Sequence, residues 1–131
     1  MTQPKSIPCP CGGKIYDTCC ARFIERNQLP GTAEELMRSR YTAYTQHNEP
    51  YLKSTWHAST RPHDSIAQDD GTKWLGLEVR KHIAAGDKAT VEFVARYKVA
   101  GRAHRLHEIS NFVREEGRWF YVDGSFPEKN K

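Results

Sequence analysis

Cys9, Cys11, Cys19 and Cys20 are the only cysteines in a chain of 131 residues, and the stretch "CPCGGKIYDTCC" holds them all. The spacing C-x-C-x7-C-C places two short thiol clusters on either side of a turn, which can offer four soft ligands at the corners of a tetrahedron. Gly12 and Gly13 follow the first pair and let the backbone fold tightly around an ion, with amides directed at the sulfurs. One zinc ion is the expected occupant. A disulfide between the neighbours Cys19 and Cys20 would be strained, and the C-x-x-C of a redox pair is missing. A four-thiolate iron–sulfur cluster stays open as the alternative. With all four corners taken by protein, no coordination position is left for water, so the metal is expected to be structural and not catalytic. Lys5, Lys14 and Arg22 lie close enough in sequence to offset the charge of four thiolates.

Acid–base chemistry has candidates in two other places. The loop "TWHASTRPHD" supplies His57, Arg61, His63 and Asp64, and the segment "LHEISNF" supplies His107, Glu108 and Ser110, with Asp123 further on. Read as a strand, the second segment puts Leu106, Glu108, Ser110 and Phe112 on one face and His107 on the other. His107 and Glu108 therefore cannot serve one pocket together. Glu108, beside Ser110 on an aromatic face, is the better base, because desolvation raises a carboxylate's pKa towards neutrality. The competing reading pairs Glu108 with Arg96 across neighbouring strands as a structural ion pair. Glu108, Asp123 and His57 are thus the catalytic candidates. The expected pocket residues are Trp56, His57, Arg61 and Trp74, together with Arg96, Glu108, Ser110 and Trp119. There is no H-E-x-x-H, no nucleophile elbow and no phosphate-binding glycine loop.

These groups need elements to position them. Pro30-Gly31 breaks the chain, Thr32 can cap a helix and Glu35 completes a capping box. Ala33, Leu36, Met37, Arg40, Tyr41 and Tyr44 then form one stripe, so a helix is expected over about 33–47. Asn48 and Pro50 start a short second helix. After a polar loop ending in an Asp70-Gly71 turn come four strands. In "KWLGLEVRKHI", Leu75, Leu77, Val79 and Ile83 share a face; "KATVEFVARYKV" alternates Val91, Phe93, Ala95, Tyr97 and Val99. "HRLHEISNFVR" and "RWFYVDG" follow, and glycine-containing connections suit antiparallel hairpins. Helices followed by a meander of strands read as α+β, with helices packed on one face of an antiparallel sheet. A strongly curved sheet would leave a pocket between the two layers.

Hydrophobic content of 37% with 27% charge describes a small, well-solvated globular chain, and the net charge of +4 comes from interleaved signs. No apolar run approaches a membrane span, and "MTQPKSIPCP" has no secretory pattern. A cytoplasmic location is expected, where clustered thiols stay reduced and hold metal.

"CPCGGKIYDTCC" resembles the SEC-C zinc knuckle, usually C-P-C-G-S-G-K-x-Y ending in C-C or C-H. Cys9, Pro10, Cys11, Gly12, Lys14, Tyr16, Cys19 and Cys20 each find a counterpart, and the glycine turn is one residue shorter. The resemblance implies bound zinc and a docking role, since such knuckles occur as accessory docking pieces. "MRSRYTAY", "TWHASTRP", "WLGLEV" and "LHEISNFVREEGRWFYVDG" are similar to the signatures of YchJ-like bacterial proteins, which join a SEC-C knuckle to an NTF2-like cone. The resemblance covers nearly the whole chain. It implies a knuckle over residues 1–26 and an NTF2-like α+β domain over 27–131, with a cavity between helices and sheet.

Three functions are compatible with these features. The leading one is a zinc-binding adaptor whose knuckle docks a protein or ribonucleoprotein partner, while the body binds a small molecule or forms a homodimer. The second is an isomerase or hydrolase using Glu108 or Asp123 with a loop histidine. The third is a nucleic-acid or ribosome-associated protein in which Lys5, Lys14, Arg22 and Arg26 form a basic rim.

Overall fold

The protein is represented by a computed structural model that describes residues 7–13, 15–66 and 71–127. Lys5, Lys14 and Asp70 of the expected turn lie outside the described residues. A 3-10 turn (Tyr16–Thr18) and helix α1 (Ala21–Ile24) belong to the cysteine-rich segment. Helices α2 (Ala33–Thr45) and α3 (Glu49–Ser54) follow. The sheet then runs as β1 (Lys73–Ala85), β2 (Lys88–Val99), β3 (Arg102–Glu115) and β4 (Arg118–Ser125). It is a four-stranded antiparallel meander in the order β1-β2-β3-β4. Helices on one side of an antiparallel sheet give the α+β architecture expected from the order of elements. No helix among the described residues is long and apolar enough to cross a membrane.

Helix α2 starts as its sequence dictates: Thr32 Oγ1 accepts from the Glu35 amide at 3.1 Å. The Glu35 carboxylate reaches back one residue further than a capping box requires and accepts from the Gly31 amide at 2.8 Å. The helix ends two residues short of the expected His47, because His47 takes a left-handed conformation with φ 53°. The amides of His47 and Asn48 bond back to the carbonyls of Tyr44 and Ala43, which satisfies the last turn. Asn48 then caps α3, its side chain accepting from the Tyr51 amide.

The stripe of α2 packs on the sheet, with Ala33, Leu36, Met37 and Tyr41 buried against Val91, Phe93, Ala95 and Phe112. The opposite flank of α2 is covered as well. Thr42 lies against the cysteines, and Ser39 shares a hydrogen bond with Tyr51 of α3. Cys9, Cys11, Tyr16, Cys20 and Ala21 belong to the same buried cluster as Leu36, Val91 and Phe112. Knuckle and cone therefore share one core.

Strand β1 departs from simple alternation. Its register with β2 shifts between Trp74 and Gly76 and again between Val79 and Lys81. Each bulge adds a residue and exchanges the faces. Leu77 and Val79 stay on the core side, joined by Trp74. Leu75 and Ile83, expected on that face, are turned outward and are more than half exposed.

Candidate metal centre and cavity

The knuckle closes by short-range geometry. Pro8 and Ile15 form an isolated bridge, and the Tyr16 amide donates to the Ile7 carbonyl at 2.9 Å. Between them the chain turns at Gly12, whose amide donates to the Cys9 carbonyl and whose φ is 86°. A Cβ at Gly13 would sit 2.8 Å from Cys19 Sγ and 3.3 Å from Cys11 Sγ, so only glycine leaves the sulfurs room. The Tyr16–Thr18 turn then delivers Cys19 and Cys20 at the entrance to α1.

All four Sγ atoms lie within 4.8 Å of one another, with Cys9, Cys11 and Cys20 buried and Cys19 half-buried. Cys11 and Cys19 sulfurs are 3.6 Å apart. A tetrahedral zinc with Zn–S bonds near 2.3 Å requires sulfurs about 3.8 Å apart, so the cluster fits such an ion. The four cysteines are free thiols with no disulfide among them. Without a cation their protons are shared unevenly. Hydrogen bonds from Cys11 and Cys20 hold the Cys9 thiol far below its usual range. Cys11 is drawn down by Cys20, but donation to Cys9 and burial prevail and push it up to about 11. Hydrogen bonding to Cys11 and Cys9, with burial, pushes Cys20 far up. Packed thiols of this kind cannot all ionise together unless a cation joins them.

Helix α2 supports the cluster from outside. Thr42 Oγ1 donates to Cys20 Sγ at 3.3 Å and lies 3.7 Å from Cys9 Sγ. Arg38 Nη1 donates to the Cys11 carbonyl at 2.9 Å, and Arg22 Nε donates to the Cys19 carbonyl at the same distance. Such outer contacts orient metal ligands. Of the expected basic rim, Arg22 lies 3.9 Å from Glu35 and Arg26 is paired with Asp17 at 3.1 Å.

A cavity of about 270 Å³ opens between α2 and the sheet. Its walls are Met37, Tyr41, Trp74, Phe93 and Phe112, with Ala95, Leu106, Tyr44 and Tyr121. Arg40, Glu108 and Ser110 supply the charge and the small hydroxyl. The Glu108 carboxylate accepts through Oε2 from Ser110 Oγ at 2.7 Å and from the Tyr121 hydroxyl at 3.0 Å. Arg40 is buried and fixed, its Nη1 donating to the Leu52 carbonyl at 2.8 Å and to Thr55 Oγ1 at 2.7 Å. Its guanidinium lies over the rings of Tyr121 and Trp56, 4.6 and 5.1 Å from their centroids. Burial pulls the Arg40 pKa down. Burial, then the adjacent Glu108 charge, pushes the Tyr121 phenol far above its usual range.

Three of the expected pocket residues, Trp74, Glu108 and Ser110, line this cavity. The others stand elsewhere. Trp56 packs edge-on behind Tyr121. His57 faces outward, bonded to Ser59 and to Glu115 at 2.9 Å. Arg61 is exposed and donates to the Trp56 carbonyl. Trp119 is buried in the core beside Arg114. Arg96 is exposed on the outer sheet face, 3.8 Å from Glu78, so the anticipated Arg96–Glu108 pair does not form. The register explains this: Phe93 opposes Glu108, whereas Arg96 opposes Arg105 on the other face. Asp123 is exposed as well, bonded to Asn111 after a bulge in β4. The expected union of Glu108 or Asp123 with a loop histidine is therefore absent. His107 bonds Glu92 at 2.7 Å on the outer face, as strand alternation requires.

Sequence reasoning missed Arg40, Tyr44 and Tyr121 as cavity residues. A signal was present for the first: an arginine in the middle of an apolar helical stripe must be buried with partners or break the stripe.

Residues 32–124 match the family described as the YchJ, middle NTF2-like domain. A UPF0225 protein of Cupriavidus metallidurans is 58% identical over 128 residues, covering 92% of this chain and 90% of its own. One from Bordetella pertussis is 50% identical, covering 95% and 98%. The solution structure of a SEC-C motif containing protein from Rhodopseudomonas palustris superposes with a TM-score of 0.81 at 32% identity, covering 92% of this chain and 98% of its own. The crystal structure of another, from Psychrobacter arcticus, gives 0.76 at 29% identity, covering 91% and 82%.

Proposed function

Because the chain belongs to the YchJ-like UPF0225 family, with an NTF2-like middle domain, we propose that it is a zinc-stapled binding protein. In this reading Cys9, Cys11, Cys19 and Cys20 hold one Zn²⁺, and the cone takes up a small molecule. The observation that carries it is the burial of three of the four sulfurs in the same core as the cavity-bearing helix. A closed four-thiolate centre leaves no position for substrate, which favours a structural ion over a catalytic one. The cavity favours binding over turnover. Among the described residues its wall holds one carboxylate and no histidine, lysine or thiol. Burial and Glu108 keep the Tyr121 phenol protonated, so it serves as a donor and is a poor relay.

Native mass spectrometry on protein released gently from its host tests this reading. One zinc plus a small organic mass is expected, with the organic mass missing from a cavity-filling Ala95→Phe variant. A chain carrying zinc alone under varied growth conditions contradicts the ligand component.

Docking by the knuckle has its own support. Ile7 and Ile15 are 59% and 43% exposed on the short ladder next to the metal ligands, where Pro8 opposes Ile15 and Ile7 bonds Tyr16. Apolar side chains at such a point suit a protein or ribonucleoprotein surface. Ile7→Asp with Ile15→Asp is expected to abolish partner capture and leave melting unchanged. Capture that survives both changes overturns this reading.

A further inference from the structure

Glu108 offers an acceptor that the fold does not use. Its Oε2 is saturated by Ser110 and Tyr121. Oε1 has no hydrogen-bond partner among the described residues, yet it is not one of their fully enclosed unpartnered atoms. The residue as a whole is only 8% exposed and faces the cavity. Oε1 is therefore open to the cavity, where water can serve it, and a ligand that displaces that water without supplying a donor leaves the oxygen unsatisfied at a cost.

The surroundings restrict the donor's chemistry. Tyr121 joins the two charges, with its hydroxyl on Glu108 and its ring beneath the Arg40 guanidinium. Arg40 cannot swing towards a ligand, because Nη1 is tied to Leu52 and Thr55. Its fixed positive charge roughly balances that of Glu108. A ligand carboxylate would meet Glu108 head-on, and an ammonium would upset a balance already made in low dielectric. Flat aromatic side chains dominate the wall: Tyr41 and Tyr44 of α2 pack against Trp74 of β1, and Phe93 and Phe112 come from β2 and β3. The volume of about 270 Å³ is nearly twice that of a cavity of about 150 Å³ that takes up benzene.

We propose that the cavity selects neutral one- or two-ring compounds carrying an N–H or O–H donor, anchored by a hydrogen bond to Glu108 Oε1. This rests on the ligand-binding reading above and specifies its chemistry.

A matched series on one ring system tests the proposal, using the zinc-loaded full chain followed by amide and indole NMR shifts of Trp74 and Ser110. The probes are indole, 1-methylindole, indole-3-carboxylate and tryptamine. Indole is expected to bind at least about tenfold more tightly than 1-methylindole, the ratio for losing one hydrogen bond to a charged acceptor. It should also outbind both charged relatives. In Glu108→Gln the advantage over 1-methylindole should shrink to within about threefold. Ser110→Ala, which leaves Oε1 untouched, should preserve it. Equal binding of indole and 1-methylindole, or preference for the carboxylate or the amine, overturns the donor rule while leaving a used cavity. Absence of any shift at Trp74 and Ser110 with all four probes at millimolar concentration overturns the ligand-binding reading as well.

Discussion

Gly124→Ala is the sharpest test of how Glu108 is held. Gly124 opposes Ser110 across β3 and β4. A Cβ there would fall on Glu108 Oε2 and come within 2.7 Å of Cδ and 2.9 Å of Cγ. Carbon atoms in contact prefer about 3.5–4.0 Å, so the carboxylate must leave or β4 must move. Leaving breaks the bonds from Ser110 and Tyr121, each worth about 1.5–3 kcal/mol to a charged acceptor, and strands the buried Ser110 hydroxyl. Overpacking without departure costs about 1–3 kcal/mol. The cheaper response sets the cost, so a net loss of about 1–2 kcal/mol is expected, and roughly 5 °C in melting temperature. The sign matters, because glycine to alanine inside a strand otherwise gains about 0.5–1 kcal/mol. The assay is urea unfolding of the wild type, Gly124→Ala, Glu108→Ala and the double variant. In the Glu108→Ala background the clashing atoms are gone, so Gly124→Ala should be neutral or slightly stabilising, giving a coupling of at least about 1 kcal/mol. Equal cost in both backgrounds would refute the placement of Glu108.

Arg40→Lys should cost about 1–3 kcal/mol in the same assay although charge is kept, because an ammonium cannot stack on Tyr121 and Trp56 while bonding Leu52 and Thr55. Burial pushes Tyr41 and Tyr51 up to about 12, and Tyr44 and Tyr121 upward as well. A phenol whose folded pKa is raised contributes stability that is complete below the unfolded value near 10 and is lost as pH rises towards the folded value. Stability should therefore fall between about pH 10 and 12, and phenolate absorbance should show these phenols ionising only as the chain unfolds. Thr42→Val should weaken zinc retention about tenfold against a competing chelator, as expected for loss of a contact that orients a metal ligand.

The fold was readable wherever local patterns agree with tertiary demands. Thr32 and Asn48 announce their helices by cap chemistry, and the alternation of β2 and β3 places Phe93, Glu108 and Phe112 on one face. The four cysteines were legible because spacing and residue type together define a ligand set. Two kinds of feature were not. Bulges change faces without a local signal, which is why Leu75 and Ile83 were misplaced and Asp123 lies outside the cavity. The cavity depends on residues brought together from α2 and all four strands, so Arg40 and Tyr121 become neighbours only through packing. The sequence divides a knuckle from a cone, yet Thr42 and Arg38 tie α2 directly to the cysteine loop.

That tie makes one measurement decisive: metal content by mass spectrometry, paired with the thermal melt of the same sample before and after removal of zinc by a chelator. The account predicts one zinc per chain and a single cooperative transition whose midpoint falls sharply without metal, because binding free energy at a site inside the core is folding free energy. Protein that carries no metal on four free thiols, or a cone that melts at the same temperature with and without zinc, would contradict it.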